Sequence, residues 1–159
     1  MDESKLTEGC QEVLDLVKTR LAFLFTDYGF SMIRQEDAKL GERCLFVLKS
    51  DDCQIKVISE FGAVGVEIGP ATISAGWSSS MQGKTVWFGI YSVIEFVEGR
   101  KLSFEEIREH GRKLWSMTND EMLADLARRL APVAREVFAL FREQVAPERR
   151  RAFEEFISG

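Results

Sequence analysis

The sequence predicts an α+β fold in which a four-stranded antiparallel meander packs against a long N-terminal helix and a C-terminal group of helices. Three observations predict it: helical periodicity up to residue 28, period-two alternation between residues 30 and 69, and renewed helical periodicity with capping patterns after residue 102. The length of 159 residues, 45% of them hydrophobic, fits one domain over residues 1–159 with its own core.

A long amphipathic helix is predicted over residues 4–28. Its apolar residues recur three or four positions apart, as one buried helical face requires. They are Leu6, Cys10, Val13, Leu14, Val17, Leu21 and Leu24. Gly29 follows and predicts the end of the helix, because glycine adopts the left-handed conformation of a helix C-terminus without steric cost.

Four strands are predicted next, at residues 30–36, 44–49, 53–59 and 63–69. The connections between them are too short for the crossover that parallel neighbours need, so the strands form an antiparallel meander. In the third strand, Gln54 and Lys56 point away from the face that its apolar residues share. The second strand is apolar on both faces, which predicts a central position and a second layer over its other face.

Residues 69–84 form a loop rich in Gly, Ser, Ala and Thr, and a loop of this length is typically functional or mobile. The spacing of residues 86–99 predicts a helix that ends at Gly99, although a strand is left open for its first residues.

Capping patterns predict the starts of two C-terminal helices: Ser103 with Glu106, and Thr118 with Glu121. Pro132 predicts a kink in the second of these helices, and Pro147 fits the first turn of a last short helix. The apolar stripe of residues 123–140 is interpreted as core, with self-association as the alternative.

The distribution of charge disfavours a nucleic-acid partner. Residues 1–100 contain 10 Lys and Arg against 15 Asp and Glu, whereas residues 101–159 contain 11 of each. An acidic surface repels phosphate backbones and suits a basic protein partner. Residues 1–10 lack the apolar region of a secretory signal, and no apolar stretch approaches ~20 residues, so we expect a cytoplasmic location and no membrane partner.

The three cysteines show no metal-ligand spacing. Cys44 and Cys53 lie on neighbouring predicted strands, but their offset along these strands is too large for a disulfide. We therefore expect Cys10, Cys44 and Cys53 to be small buried hydrophobic residues, and we expect no metal site.

No cluster of residues predicts catalysis. Gly83, Lys84 and Thr85 resemble the end of a phosphate-binding loop, but six residues rather than four separate Gly76 from Gly83, and the preceding strands are antiparallel. His110 is the only histidine, and it has no companion nucleophile or ligand. We therefore expect no catalytic residue and no cofactor, and we favour a function other than catalysis.

The candidate binding residues lie in or near the long loop, with one exception on a helix. They are Glu67, Trp77, Ser79, Lys84 and His110. Trp77 has no apolar periodicity around it. It either folds back onto the sheet, which we favour, or anchors a partner.

Four segments follow one another along the chain in a recognisable order. They are FTDYGF at residues 25–30, the two-sided strand at residues 44–50, residues 57–70 ending in Glu-Ile-Gly-Pro, and the helix at residues 87–99. Together they resemble a group of uncharacterised small bacterial proteins, several of which are similar to immunity proteins of polymorphic toxin systems. The resemblance covers residues 21–99. It implies a binding role and assigns no functional residue.

Two functions are left open. We favour a non-catalytic protein-binding domain, immunity-like or regulatory, that contacts a basic protein through the acidic sheet-and-loop surface, and a homodimer is also left open. The alternative is a small ligand-binding domain or enzyme with a pocket between the sheet and the 69–84 loop, lined by Glu67, Lys84 or His110.

Overall fold

The computed structural model of the chain describes residues 6–38, 43–81, 84–100, 102–142, 145 and 147–158, without the side chains of Met81 and Lys84. The strands are β1 (Ser31–Asp37), β2 (Cys44–Lys49), β3 (Cys53–Glu60), β4 (Ala63–Pro70), β5 (Ser80–Met81), β6 (Lys84–Thr85) and β7 (Phe88–Gly89). The α-helices are α1 (Glu8–Arg20), α2 (Ala22–Asp27), α3 (Ile90–Glu98), α4 (Phe104–Ser116), α5 (Asn119–Leu130), α6 (Ala134–Ala139) and α7 (Pro147–Ser158). Within the described ranges, no helix combines the length and apolar character needed to cross a membrane.

The main sheet is antiparallel throughout, with the strand order β1-β2-β3-β4-β7. This confirms the α+β class and the meander, but the sheet has five strands rather than the predicted four. The fifth strand, β7, pairs with β4 by placing Gly89 opposite Glu67 and Phe88 opposite Ile68. A strand is left open for the first residues of the predicted helix at residues 86–99, and β7 lies there, but two residues are too few to show period-two alternation. Strands β5 and β6 form a separate ladder within the long loop.

The N-terminal helical region is divided into two helices. The hydroxyl group of Thr7 caps α1 by accepting a hydrogen bond from the backbone N–H of Cys10 at 3.4 Å. Helix α1 ends at Arg20, and α2 begins one residue after Leu21, so the prediction of one continuous helix is wrong. The predicted start at residue 4 lies outside the described residues. Gly29 has a φ angle of 71°, which confirms its predicted role after the helix.

The C-terminal helices begin where the capping patterns predict. Both capping boxes are present, ahead of α4 and α5. Pro132 lies in a short 3-10 turn (Ala131–Val133) that separates α5 from α6, and Pro147 is the first residue of α7. The stripe of residues 123–140 is core: its buried members are Leu123, Leu126, Leu130, Val137 and Leu140.

The sheet is covered on both faces. One face packs with α1, α3, α5 and α6 around a single cluster of buried side chains that includes Phe46, Val57 and Val66. Leu45 and Val47 of β2 point to the other face and are also fully buried. This confirms the predicted second layer, which is formed by the chain between β4 and α3.

A disulfide joins Cys10 of α1 to Cys44 of β2, with the two Cα atoms 5.7 Å apart. The prediction that all three cysteines are unbonded is therefore wrong. The strand offset correctly separates Cys44 from Cys53, which is buried and unbonded. The sequence pattern does not show that α1 docks its buried face, including Cys10, directly over β2.

Candidate protein-binding surface

The 69–84 loop is fastened to the second face of the sheet. The side-chain amide of Gln54 donates hydrogen bonds to the backbone carbonyls of Pro70 and Ile73, at 2.9 and 2.6 Å. The guanidinium group of Arg34 donates to the carbonyl of Ala75. The first half of the loop is therefore a fixed cover over strands β1 and β3.

Lys56 lies at the centre of this arrangement and is fully buried. Its ammonium group donates to the carbonyls of Gly76 and Ser78 at 2.8 Å each, and it lies 3.3 Å from Oε1 of Glu67. The same nitrogen lies 4.5 Å from the ring centre of Trp87. Burial lowers the pKa of Lys56, and the charge of Glu67 opposes that shift. Because it donates to two carbonyls of the loop and forms an ion pair with Glu67, Lys56 fastens the loop.

Three of the predicted binding residues belong to the same network. The hydroxyl group of Ser79 donates to Oε2 of Glu67 at 2.6 Å. The indole N–H of Trp77 donates to Oε1 of Glu36 at 3.2 Å, and this bond lowers the pKa of the Glu36 carboxyl group. The guanidinium group of Arg43 lies 4.5 Å from the ring centre of Trp77. Trp77 thus folds back onto the sheet, as predicted.

The other two predicted binding residues are not part of this network. The side chain of Lys84 lies outside the described part of the chain. His110 lies on α4, on the helical side of the sheet, where its ring packs edge-on against Tyr91 with the ring centres 4.9 Å apart. Its Nε2 is buried and has no hydrogen-bond partner among the described residues. Burial lowers the pKa of His110, and the charge of Arg129 lowers it further.

Four large apolar side chains are exposed on the β3–β4 hairpin and on α4. Phe61 forms the tip of the β3–β4 hairpin, and the other three residues lie on α4. Their exposed fractions are 78% for Phe61, 73% for Phe104, 55% for Ile107 and 86% for Trp115. We call these four residues the hairpin–α4 surface. Exposed apolar side chains that occur together mark interaction sites, whereas isolated ones are ordinary.

A groove of about 540 Å³ joins the hairpin tip to the C-terminal half of α4. Phe61 and Val64 line one side of it, and Leu114 and Trp115 line the other. The groove therefore brings Phe61 and Trp115 together, while Phe104 and Ile107 lie further toward the start of α4 and do not line it.

Phe61 adopts a conformation that aromatic residues rarely adopt. Its φ angle is 51°, and that of Gly62 is 84°, so both central residues of this two-residue hairpin turn are left-handed. Such turns favour Asn, Asp or Gly, and the left-handed conformation costs other residues roughly 1–2 kcal/mol. The ring is 78% exposed, so burial in its own fold offsets little of this cost.

The structure shows candidate functional residues that the sequence patterns did not predict. Lys56 was predicted to point away from the core face. Its burial was not predicted, because that burial depends on the loop that covers the other face of the sheet. The spacing of Phe104, Ile107 and Trp115 is visible in the sequence, yet such a stripe is usually core. Phe61 is the clearest missed signal, because a large apolar residue occupied a predicted turn.

No family model matches this chain, and comparisons with the curated proteins and with the solved structures gave no match. The function of this chain is therefore inferred from its own residues.

Proposed function

We propose that this chain is a non-catalytic protein-binding domain and that the hairpin–α4 surface is its contact site. The observation that carries this proposal is the grouping of Phe61, Phe104, Ile107 and Trp115, each more than half exposed, on two adjoining elements.

The energetics of these side chains favour a protein partner. Burying an exposed aromatic or branched side chain contributes up to about 1.5–3 kcal/mol, so four of them offset much of the entropic cost of association. Tryptophan is the residue most enriched among the energetic centres of protein interfaces, and Trp115 has the largest exposed fraction of the four. The strained conformation of Phe61 supports the same function, because a site that sacrifices stability is typical of functional positions.

We propose an immunity-like or regulatory role for this binding, as the resemblance to small bacterial proteins implies. The excess of acidic residues before residue 100 would attract a basic partner from a distance.

The cytoplasmic location also remains a proposal. The Cys10–Cys44 disulfide opposes it, because disulfides persist mainly in oxidising compartments. Acid quenching of intact cells, followed by alkylation of the denatured and unreduced protein, tests the location, because all three cysteines are buried in the folded chain. Alkylation of all three cysteines would support a cytoplasmic location, whereas alkylation of Cys53 alone would contradict it.

The alternative function, a ligand pocket between the sheet and the 69–84 loop, has weaker support. Lys56 and Trp87 fill the space beneath the loop with exposed fractions of 0% and 2%. A ligand would have to displace a segment that several buried hydrogen bonds hold in place.

Site-specific photo-crosslinking tests the proposed function. A benzophenone amino acid replaces Phe61 or Trp115, and a matched variant carries it at Glu154, an exposed position of α7 that does not line the groove. Irradiation in the cells that make the protein should produce a discrete adduct at positions 61 and 115 and none at position 154. The absence of adducts at both surface positions would overturn the proposal.

A further inference from the structure

A second groove adjoins the groove between the hairpin tip and α4. It has a volume of about 370 Å³ and lies between α1, the β3–β4 hairpin and the start of α5, and we call it the α1 groove. Gly62 and Asn119 line both grooves, so the two share a boundary at these residues. Position 62 has no side chain, and no described atom lies within 4 Å of the place that a Cβ atom would take there. A bound segment that lies in one groove therefore meets no side chain at position 62 when it continues into the other.

The groove beside α4, which we call the hairpin–α4 groove, has no charged side chain among the described residues that line it. Phe61, Val64, Leu114 and Trp115 are apolar, and Asn119 is its one polar side chain within that described lining. A charged group placed in this groove would lose water without gaining an opposite charge. An apolar side chain would instead cover Phe61 and Trp115. The hairpin–α4 groove therefore selects apolar side chains.

The α1 groove has an acidic rim. Glu8, Glu12 and Asp15 follow one another at intervals of four and three residues, so they lie along one exposed side of α1. Glu12 lines the α1 groove, and Glu12 and Asp15 both line its shallow continuation along α1. Arg20 lines that continuation too, but its guanidinium group is bound to Asp120. Among the residues that the structure describes, none forms an ion pair with the three carboxylates of this rim.

The two grooves together are complementary to one kind of protein segment. An apolar centre beside a charged rim is the usual arrangement of a protein interface. The uncharged groove takes apolar side chains, and the acidic rim next to it takes lysine or arginine side chains. Glu8, Glu12 and Asp15 also belong to the acidic excess of residues 1–100. The charge at the grooves and the charge that acts over a longer range therefore favour the same partner.

We propose that the occupant of the hairpin–α4 surface is a segment of a basic protein. Its apolar side chains enter the hairpin–α4 groove, and its lysine or arginine side chains face Glu12 and Asp15 on the other side of Gly62. This inference rests on the proposed function, because it names the partner that the same surface binds. It makes Phe61 and Trp115 the apolar centre of the contact.

Selection from a phage-displayed library of random peptides, with the purified full chain as the target, tests this chemistry. The peptides are about 16 residues long, which in extended form exceeds the diameter of a domain of this size. The selected sequences should combine apolar residues with an excess of lysine and arginine. Isothermal titration calorimetry then measures the Kd of synthetic copies. Trp115→Ala should weaken this Kd by at least about tenfold, because it removes the largest exposed side chain of the groove.

A charge reversal tests the acidic rim. Glu12→Lys combined with Asp15→Lys should weaken the Kd of the selected peptides by at least about tenfold. The matched control is Glu154→Lys combined with Glu155→Lys, at exposed positions of α7 that line neither groove. It changes the net charge by the same amount and should change the Kd by less than about threefold. A difference between the two double variants therefore reports where the charges lie, and circular dichroism checks that both fold.

The possible outcomes separate this inference from the proposed function. Apolar and basic peptides that depend on Trp115 and on the acidic rim support the inference. Acidic or neutral peptides, peptides that tolerate Trp115→Ala or the rim reversal, or a selection without binders overturn it. If photo-crosslinking at positions 61 and 115 then captures a protein of another kind, including a second copy of this chain, the proposed function stands without the basic partner. If neither position forms an adduct, the proposed function fails, and the inference fails with it.

Discussion

Replacing Lys56 with methionine removes the ammonium group that fastens the long loop to the sheet while retaining most of the side-chain volume. The carbonyls of Gly76 and Ser78 then lose a donor that lies 2.8 Å away, and Glu67 loses its cationic partner at 3.3 Å. The segment is then held by the hydrogen bonds of Gln54 and Arg34 to its backbone, by the Trp77–Glu36 hydrogen bond and by the Ser79–Glu67 hydrogen bond.

The expected cost is a loss of about 3 kcal/mol in the free energy of unfolding. Each carbonyl that is left without a donor costs about 1 kcal/mol of stability. This is the lower end of the range for an unsatisfied buried polar group, because the loop is able to lift and admit water. The carboxylate of Glu67 contributes about 1 kcal/mol more, which is less than the usual cost of breaking a buried pair because its side chain is 24% exposed. For a chain of this size the melting temperature should fall by roughly 10 °C.

Urea unfolding followed by far-UV circular dichroism measures this loss. Lys49→Met is the matched control, because Lys49 is an exposed lysine at the end of β2 and its replacement should change stability by less than about 0.5 kcal/mol. Adding Glu67→Gln to Lys56→Met should recover about 1 kcal/mol by removing the unpaired charge. A Lys56→Met protein as stable as the Lys49→Met protein would refute the view that Lys56 holds the loop.

Three further predictions concern single residues. Phe61→Asn should raise the free energy of unfolding by about 1 kcal/mol, because asparagine suits the left-handed turn. The same change should reduce binding at the hairpin–α4 surface. Urea unfolding that shows no gain in stability would contradict the strain assigned to Phe61. Cys10→Ser should cost about 4 kcal/mol under oxidising conditions, because the disulfide closes a loop of 34 residues, and thiol titration of the denatured, unreduced wild type should detect Cys53 alone. The lowered pKa of His110 means that the unfolded chain binds this proton more tightly than the native protein. The contribution of His110 to stability is therefore fully present above about pH 6.5 and is lost as the pH falls toward the lowered native pKa, so wild type should lose more stability than His110→Asn between pH 7.5 and pH 5 in urea unfolding.

The secondary structure was largely predictable because its signals are local. The capping boxes at Ser103 and Thr118 lie within four residues of the helices they start, and the turns that join β2, β3 and β4 need only a few residues to reverse the chain. These signals depend on backbone geometry and on the nearest neighbours in sequence. The short strand β7 was left open and not predicted, because two residues show no alternation and only the pairing with β4 identifies the strand.

The candidate site was predictable only in part. Glu67, Trp77 and Ser79 were selected from the loop and its borders, and the structure joins Ser79 to Glu67 and Glu67 to Lys56, while Trp77 binds Glu36. The role of Lys56 was not predicted, because burying a lysine requires carbonyl groups that arrive from about twenty residues further along the chain. The stripe on α4 was visible as a helical pattern, but the pattern does not distinguish a buried stripe from an exposed one.

The sequence by itself determined the order and type of most helices and strands, the antiparallel direction of the sheet and the need for a second layer on β2. Only the tertiary structure decided that Cys10 meets Cys44, that Lys56 is enclosed, and that Phe104, Ile107 and Trp115 remain exposed. The physical reason is that periodicity records which residues share a face. Which surface that face meets depends on how elements far apart in the chain share a limited core.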